Sequence, residues 1–199
     1  MERGVTSGRL DPERAALVVV DVQEAFRKAV PGFEQIARAT GTLISGAEAL
    51  GVPVVITEQY PKGLGETVPE VAEQLPDGSE PLEKLAFSAA EADGFSLDGR
   101  DQVLVCGIET HVCVNQTVLD LLGSGSEVHV AEDAVGSRFA DSKRIGLHKM
   151  EQAGAVLTSV ETALFELVRR AGTEEFKAVQ KLVLEYAPNP GAEARKTPA

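Results

Sequence analysis

Cys113 is the residue whose type and surroundings point most directly to chemistry. It lies in residues 107–114 (Gly-Ile-Glu-Thr-His-Val-Cys-Val), which lead from an apolar run into a helical pattern. A thiol in the first turn of a helix faces unpaired backbone N–H groups, which favour a thiolate and can bind an oxyanion. The alternative is a buried small hydrophobic residue, the usual role of a free cysteine. The position favours a nucleophile, whereas Cys106, inside the strand pattern, is predicted to belong to the core.

Two charged side chains could work with this thiol. Asp21 directly follows the valine-rich run at 16–20, so its carboxylate should be partly desolvated. Desolvation raises the pKa of a carboxyl group towards that of a useful proton acceptor, although an aspartate here could equally cap the next turn. Lys84 precedes an apolar patch, and its ammonium could stabilise a thiolate or oxyanion and hold Asp21 ionised. Most lysines are solvated surface groups, so this role requires the three side chains to meet.

Other kinds of site are disfavoured by the motifs present. The first predicted strand is followed by Asp-Val-Gln-Glu, where a dinucleotide-binding loop would need Gly-x-Gly-x-x-Gly, and the Asp-x-Asp pair of aspartyl phosphatases is missing. His111, His129 and His148 do not have the spacing of metal ligands, so we predict no metal and no cofactor. His111 is two residues from Cys113, and side chains with that separation at a helix start point in different directions.

The elements that must position these residues alternate between strands and helices. A short strand-like piece is predicted around Leu85, and valine-rich apolar runs predict buried parallel strands at 16–20, 52–56, 103–105, 128–131 and 155–158. Helical spacing predicts helices at 33–50, 112–122, 142–153, 161–170 and 173–184, the last with Thr173 as its N-cap. The alternation predicts an α/β fold, a three-layer α/β/α sandwich with a central, mostly parallel six-stranded sheet. The 199 residues suit a single domain, with a core at about 14–185 and a flexible C-terminal tail.

The residues after each strand are the candidates for the binding cleft, because ligands of such sheets bind beyond the carboxyl ends of the strands. Glu58, Gln59 and Tyr60 follow the second predicted strand, and Phe87 follows the strand-like piece, so these four are predicted to contact substrate. Residues 60–81 are rich in proline and glycine and are predicted to form a long excursion, which in a compact domain is usually functional or lid-like.

Composition limits the partners and the location. The net charge of −12 and the missing basic stripe disfavour nucleic acid and anionic membrane surfaces, and no apolar run approaches the roughly 20 residues of a membrane span. We therefore expect a small-molecule substrate, with neither nucleic acid nor membrane as a partner. Two cysteines and an N-terminus without a signal-peptide pattern predict a cytoplasmic location.

Three motifs in this order resemble a known family. Residues 18–23 (Val-Val-Val-Asp-Val-Gln), Lys84 and residues 107–114 are together similar to the isochorismatase-like cysteine hydrolases, which include nicotinamidases, over roughly residues 14–185. The resemblance implies Asp21 as acid and base, Lys84 as electrostatic partner and Cys113 as nucleophile. It also implies a cis peptide between Ile108 and Glu109, which shapes an oxyanion hole together with Cys113, and assembly into a homo-oligomer.

Two further segments resemble one subgroup of this family. Residues 57–65 and 176–182 are similar to the isochorismatase-domain-containing subgroup. Nicotinamidases carry an Asp-x-His metal motif after the second strand, where this chain has Glu58, Gln59 and Tyr60, so neither zinc nor a nicotinamide substrate is carried over. Members that cleave isochorismate lack the cysteine, and Cys113 therefore favours acyl transfer over hydrolysis of a vinyl ether.

The resulting expectation is a cysteine hydrolase that cleaves a small amide or a related acyl compound through a thioester, using an Asp-Lys-Cys triad. An alternative is a non-catalytic ligand-binding or regulatory module on the same scaffold. A redox sensor pairing Cys106 with Cys113 ranks last, because the two cysteines lie on different predicted elements.

Overall fold

A computed structural model describes residues 8–186, in which six strands form one all-parallel sheet. The strands are β1 (Ala15–Val20), β2 (Val54–Gln59), β3 (Leu82–Lys84), β4 (Gln102–Ile108), β5 (Glu127–Gly136) and β6 (Val156–Thr158). Their order in the sheet is β3-β2-β1-β4-β5-β6, so β1 and β4 lie at the centre. Every residue of β1 and β4 is buried, which explains why both strands are apolar apart from Gln102 at the start of β4.

Helices cover both faces of the sheet. They are α1 (Phe33–Ala49), α2 (Pro61–Leu64), α3 (Pro69–Ala72), α4 (Asn115–Gly123), α5 (Ala140–Gln152), α6 (Val160–Val168) and α7 (Glu174–Tyr186). Apolar residues of α1, α6 and α7 form one buried cluster with one face of the sheet. Apolar residues of α4 and α5 form a second cluster with the other face. The predicted three-layer α/β/α sandwich is therefore confirmed, with a sheet that is parallel throughout.

The predicted helices are all present, but several strand boundaries were wrong. β2 runs to Gln59, beyond the apolar run that predicted it, because the polar residues at its end continue the backbone pairing. β5 runs to Gly136, because its pairing with β4 resumes at Val135 and Gly136 after a shift in register. The edge strand consists of Leu82–Lys84 rather than a piece around Leu85. Thr173 caps α7 as predicted, its hydroxyl accepting the Phe176 N–H at 3.1 Å. The C-terminal tail was predicted to begin at Tyr186, but Tyr186 is the last residue of α7, and the rest of the predicted tail lies outside the described residues.

Gly107 is required where the two central strands approach each other. Its φ of 120° is open to glycine, and a Cβ there would lie 2.0 Å from the carbonyl oxygen of Val20. We expect Gly107→Ala to lower the free energy of unfolding by about 3 kcal/mol or more, because it adds backbone strain to a collision with β1. Urea unfolding measures this. Gly123→Ala is the matched control, since its added Cβ would meet no atom within 4 Å apart from its own stretch of helix, and a comparable loss there would contradict the explanation.

Candidate active site

Strand register brings the carboxyl ends of four neighbouring strands together. Val20, the last residue of β1, pairs with Thr57 on β2 and with Gly107 on β4. Gln59, the last residue of β2, pairs with Lys84, the last residue of β3. The residue after β1 and the ends of β2, β3 and β4 therefore share one edge of the sheet, which is the usual location of a ligand site in such folds.

Lys84 ends β3 with its side chain directed inwards. Its side chain is 1% exposed, and its Nζ donates to Asp21 Oδ2 and to Gln59 Oε1, both at 2.7 Å. The same ammonium donates to the carbonyl oxygens of Phe87 at 3.0 Å and Ala86 at 3.3 Å. A buried ammonium needs such a set of acceptors, and this one binds Lys84 in a single orientation beside a fully buried carboxylate.

Asp21 follows β1 in a backbone conformation that is uncommon for a non-glycine residue, with a φ of 53°. Its Oδ1 accepts the hydroxyl proton of Thr57 at 2.8 Å, while Oδ2 faces Lys84. Burial raises the pKa of Asp21, as the sequence predicted, and the charge and hydrogen bond of Lys84 oppose that rise. The carboxylate can therefore accept a proton more readily than a solvated aspartate.

Cys113 lies in a π-helical turn, Thr110–Val114, which joins β4 to α4. Its side chain interacts with Asp21, and the residue is 5% exposed. Burial raises the pKa of its thiol to about 12, with a further rise from the Asp21 charge, while Lys84 and the Glu109 N–H oppose these effects. The expectation of a thiolate favoured by the helix start is therefore wrong for the resting protein, because desolvation and a neighbouring anion outweigh the backbone N–H groups.

Glu109 follows a cis peptide bond, Ile108–Glu109, at the end of β4. Its backbone N–H interacts with the Cys113 thiol, and its carbonyl oxygen accepts the N–H groups of Val112 at 3.0 Å and Val114 at 3.2 Å. Its carboxylate turns away from the thiol towards Arg138. The main chain at Glu109 therefore directs a donor at the sulfur, on the side where the carbonyl oxygen of an attacked acyl group could accept it.

The four residues predicted to contact substrate divide into two pairs. Glu58 is 8% exposed, and its Oε1 accepts the N–H and the hydroxyl of Thr67, at 2.6 and 2.7 Å. Gln59 is also 8% exposed and binds Lys84, so both of these side chains already have protein partners. Tyr60 and Phe87 are about half exposed, at 51% and 50%. Tyr60 also borders a surface cavity of about 520 Å³ beside the end of β3.

Two supporting residues were missed by the sequence reasoning. Thr117 Oγ1 donates to the Cys113 carbonyl oxygen and accepts the Ala89 N–H, both at 2.8 Å, which joins α4 to the segment after Lys84. Gln23 donates from Nε2 to the Gln59 carbonyl oxygen at 3.1 Å and accepts the Gln59 N–H at 2.8 Å. The spacing of four residues between Cys113 and Thr117 was a usable signal, whereas no spacing connects Gln23 to Gln59.

A metal centre has no evident set of ligands in the part of the chain that the structure describes. Among residues 8–186, no group of three or more histidine, cysteine, aspartate or glutamate side chains is arranged to hold a metal ion. His111 instead faces Ser137, and His129 is buried beside Glu127 at the opposite end of the sheet. Nor does any helix in this range combine the length and hydropathy of a membrane span.

The fold and the site define the protein as a three-layer α/β protein with a buried acid, ammonium and thiol at the carboxyl edge of its sheet. The isochorismatase domain model matches residues 15–162, and the chain belongs to this family. It is 43% identical over 187 residues to isochorismatase domain-containing protein 2A of Mus musculus, covering 92% of this chain and 89% of that protein.

Two solved structures share the fold. The MAR1 ribonuclease of Caenorhabditis elegans is 41% identical, with a TM-score of 0.85, and the match covers 96% of this chain and 98% of that one. The YcaC gene product of Escherichia coli, described as an octameric hydrolase of unknown specificity, is 25% identical with a TM-score of 0.80, and the match covers 94% of both chains. The family resemblance inferred from the three motifs is confirmed.

Proposed function

We propose that this protein is a cysteine hydrolase that cleaves a small amide or a related acyl compound by an Asp21–Lys84–Cys113 mechanism. The observation that supports the proposal most strongly is a fully buried Asp21 carboxylate that lies 2.7 Å from the Lys84 ammonium and whose charge acts on the Cys113 thiol. An acid, a cation and a nucleophile buried together away from water cost folding free energy, and an enzymatic role explains why they are retained.

The resting state in this mechanism is a neutral thiol beside an Asp21–Lys84 ion pair. Asp21 accepts the thiol proton as the sulfur attacks the substrate carbonyl carbon, so that no free thiolate needs to accumulate. The N–H groups of Glu109 and Cys113 bind the oxygen of the tetrahedral intermediate. Asp21 then donates its proton to the leaving nitrogen, and the carbon–nitrogen bond breaks to leave a thioester on Cys113.

Deacylation reverses these roles. A water molecule loses a proton to Asp21 and attacks the thioester carbon, and the sulfur leaves with the proton returned by Asp21. Lys84 remains charged throughout and stabilises the negative charge as it moves between Asp21, the sulfur and the carbonyl oxygen. The products are a carboxylic acid and an amine or ammonia, and the protein returns to its starting protonation state.

A screen of small amides and acyl esters tests this function, with Cys113→Ala as the paired control. We expect hydrolysis of at least one compound class by the wild-type protein and none above background by the variant. Full activity in Cys113→Ala would contradict the proposal. RNA belongs in the same screen because of the name of the C. elegans relative, and the net charge of −12 leads us to expect no cleavage of it.

The acid side of the pH profile should reflect Asp21. Because burial raises the pKa of Asp21 above its ordinary value of 3.8, the carboxylate becomes protonated at a higher pH than a solvated aspartate. A protonated Asp21 cannot take the thiol proton, so kcat/KM should fall as the pH drops through this raised pKa. Measurement of kcat/KM between pH 4 and 8 checks the position of the fall, and constant activity down to about pH 4 would exclude Asp21 as the base.

We also propose that the protein forms a homo-oligomer of identical chains. The support is the octameric E. coli neighbour and the exposed apolar side chains Phe139 and Ile145, which are 66% and 56% exposed at the start of α5. Side chains of this kind are commonly buried between subunits. Light scattering on the purified protein measures the mass, and a monomer at micromolar concentration would contradict this proposal.

A further inference from the structure

Glu109 is bound by hydrogen bonds at its main chain and at its side chain. Its N–H interacts with the Cys113 thiol, and its carbonyl oxygen accepts two N–H groups of the π-helical turn. Its Oε1 accepts two donors from Arg138, the backbone N–H at 2.9 Å and the Nε–H at 3.0 Å. The orientation of the donor that faces the sulfur is therefore connected to the position of the Glu109 carboxylate.

Arg138 is the cationic partner of that carboxylate. The Glu109 side chain is 7% exposed, and among residues 8–186 its carboxylate forms an ion pair with Arg138 alone. A buried carboxylate that loses its cation must rotate towards water, bind a proton or remain unpaired at a cost in folding free energy. Rotation towards water would release Glu109 from Arg138, so that only the hydrogen bonds of its carbonyl oxygen to the π-helical turn would still orient its main chain and its N–H.

A second contact binds the same loop to the same turn. Ser137 Oγ and His111 Nδ1 lie 3.0 Å apart, so consecutive residues after β5 contact residues 109 and 111. The loop itself is positioned by the pairing of Gly136 with Ile108 at the ends of β5 and β4. The turn that contains Cys113 is thus held in position by contacts with the two residues that follow β5.

We propose that Arg138 is a positioning residue for the reaction, which acts through the buried Glu109 carboxylate to direct the Glu109 N–H at the sulfur and the developing oxyanion. This inference rests on the proposed function for its catalytic consequence. Arg138 is itself about half exposed, with a side-chain exposure of 52%. Arg138 is proposed to act only through Glu109, without contacting the substrate.

The test compares Arg138→Met and Arg138→Lys with Arg144→Met. Arg144 is a matched control, because it is 72% exposed and pairs with Asp141 on the surface of α5. We expect Arg138→Met to lower kcat about 10- to 100-fold with little change in KM, the size expected when an oxyanion donor is misdirected. Arg138→Lys keeps a cation beside Glu109 and should recover a large part of this loss.

Alkylation of Cys113 by iodoacetamide supplies a readout that needs no substrate. Because the Glu109 N–H lowers the thiol pKa, Arg138→Met should shift the pH dependence of alkylation to higher pH, which appears as a lower alkylation rate at each pH between about 7 and 9, and Arg144→Met should not. Peptide mass spectrometry follows Cys113 separately from Cys106. Thermal unfolding verifies that each variant is folded, and Arg138→Lys takes the place of Arg138→Met if the latter is not, with a smaller shift expected.

The outcomes separate the inference from the proposed function. An unchanged alkylation profile in a folded Arg138 variant would overturn the positioning role, as would a higher KM with unchanged kcat, which indicates direct binding of substrate. A shifted profile in a protein that hydrolyses no tested compound would support the positioning role while the proposed function fails in the substrate screen.

Discussion

Replacing Lys84 with methionine should remove activity and lower the free energy of unfolding by about 3–5 kcal/mol, as expected when one partner of a buried ion pair is deleted. The ammonium of Lys84 is bound by four oxygens, from Asp21, Gln59, Ala86 and Phe87. Methionine fills a similar volume but donates no hydrogen bond, so the Asp21 carboxylate would remain buried without its cation. Urea unfolding measures the stability, and kcat/KM on a substrate from the screen measures the activity.

Two further variants show whether the effect of Lys84→Met comes from the loss of the buried ion pair. Lys177→Met removes an exposed lysine that pairs with Glu174 on α7, and we expect a change within about 0.5 kcal/mol. Asp21→Asn combined with Lys84→Met should recover part of the stability, because the buried charge is then removed, but none of the activity. If Lys84→Met and Lys177→Met had equal effects on stability, the buried ion pair would not have the role assigned to it.

Asp21→Asn should have opposite effects on catalysis and on the reactivity of Cys113. The amide cannot accept the thiol proton, so kcat should fall about 10²- to 10⁴-fold, the usual contribution of a general base. The charge of Asp21 also raises the pKa of Cys113, and its removal leaves the Lys84 ammonium beside the sulfur. The thiol should therefore ionise at lower pH, and iodoacetamide should alkylate it faster at neutral pH.

This divergence distinguishes a proton acceptor from a residue that merely supports the site. A general loss of structure would lower turnover and would also make alkylation of the buried Cys106 faster, which peptide mass spectrometry detects. Thr57→Val is a useful comparison, because it removes the hydroxyl that donates to Asp21 while the carboxylate remains. A parallel fall in turnover and in Cys113 alkylation after Asp21→Asn would contradict the assignment.

A neutral resting thiol changes the interpretation of reactivity tests on this protein. The sequence placed Cys113 at a helix start and predicted a thiolate, for which fast alkylation near neutral pH is expected. With a thiol pKa raised to about 12, slow alkylation of the wild-type protein is compatible with a catalytic cysteine whose proton is removed only during the reaction. The alternative of a non-catalytic binding module is therefore better tested by turnover than by alkylation alone.

The three layers of the fold could be predicted because each central strand contains a continuous apolar run, which is typical of a strand with helices packed on both faces. Residues 16–20 and 103–105 carry that signal strongly, since both faces of their strands are buried. The end of β2 carries no such signal. Thr57, Glu58 and Gln59 are polar, but they continue the strand because Gln59 pairs with Lys84. In addition, the Glu58 side chain binds Thr67, and the Gln59 backbone N–H donates to the Gln23 side chain.

The identity of the catalytic candidates could be predicted from the sequence, but their contacts and their burial could not. Asp21 and Cys113 follow recognisable strand patterns, whereas Lys84 was a weak candidate from its position before an apolar patch, and the motif resemblance strengthened it. The connection of Arg138 to Glu109 spans 29 residues and depends on the register between β4 and β5, which no local pattern reveals. The pKa of Cys113 likewise depends on how deeply the sulfur is buried, a property of the packed structure that residue spacing does not report.

The most direct test of the covalent mechanism is to trap the acyl group on Cys113. Wild-type protein mixed with an ester or amide substrate and quenched in acid within milliseconds to seconds should show a mass increase equal to the acyl group, on the peptide that contains Cys113. The increase should be absent from Cys113→Ala and strongly reduced in Asp21→Asn. Turnover of that substrate by Cys113→Ala at the wild-type rate, with no acylated peptide at any quench time, would contradict the mechanism.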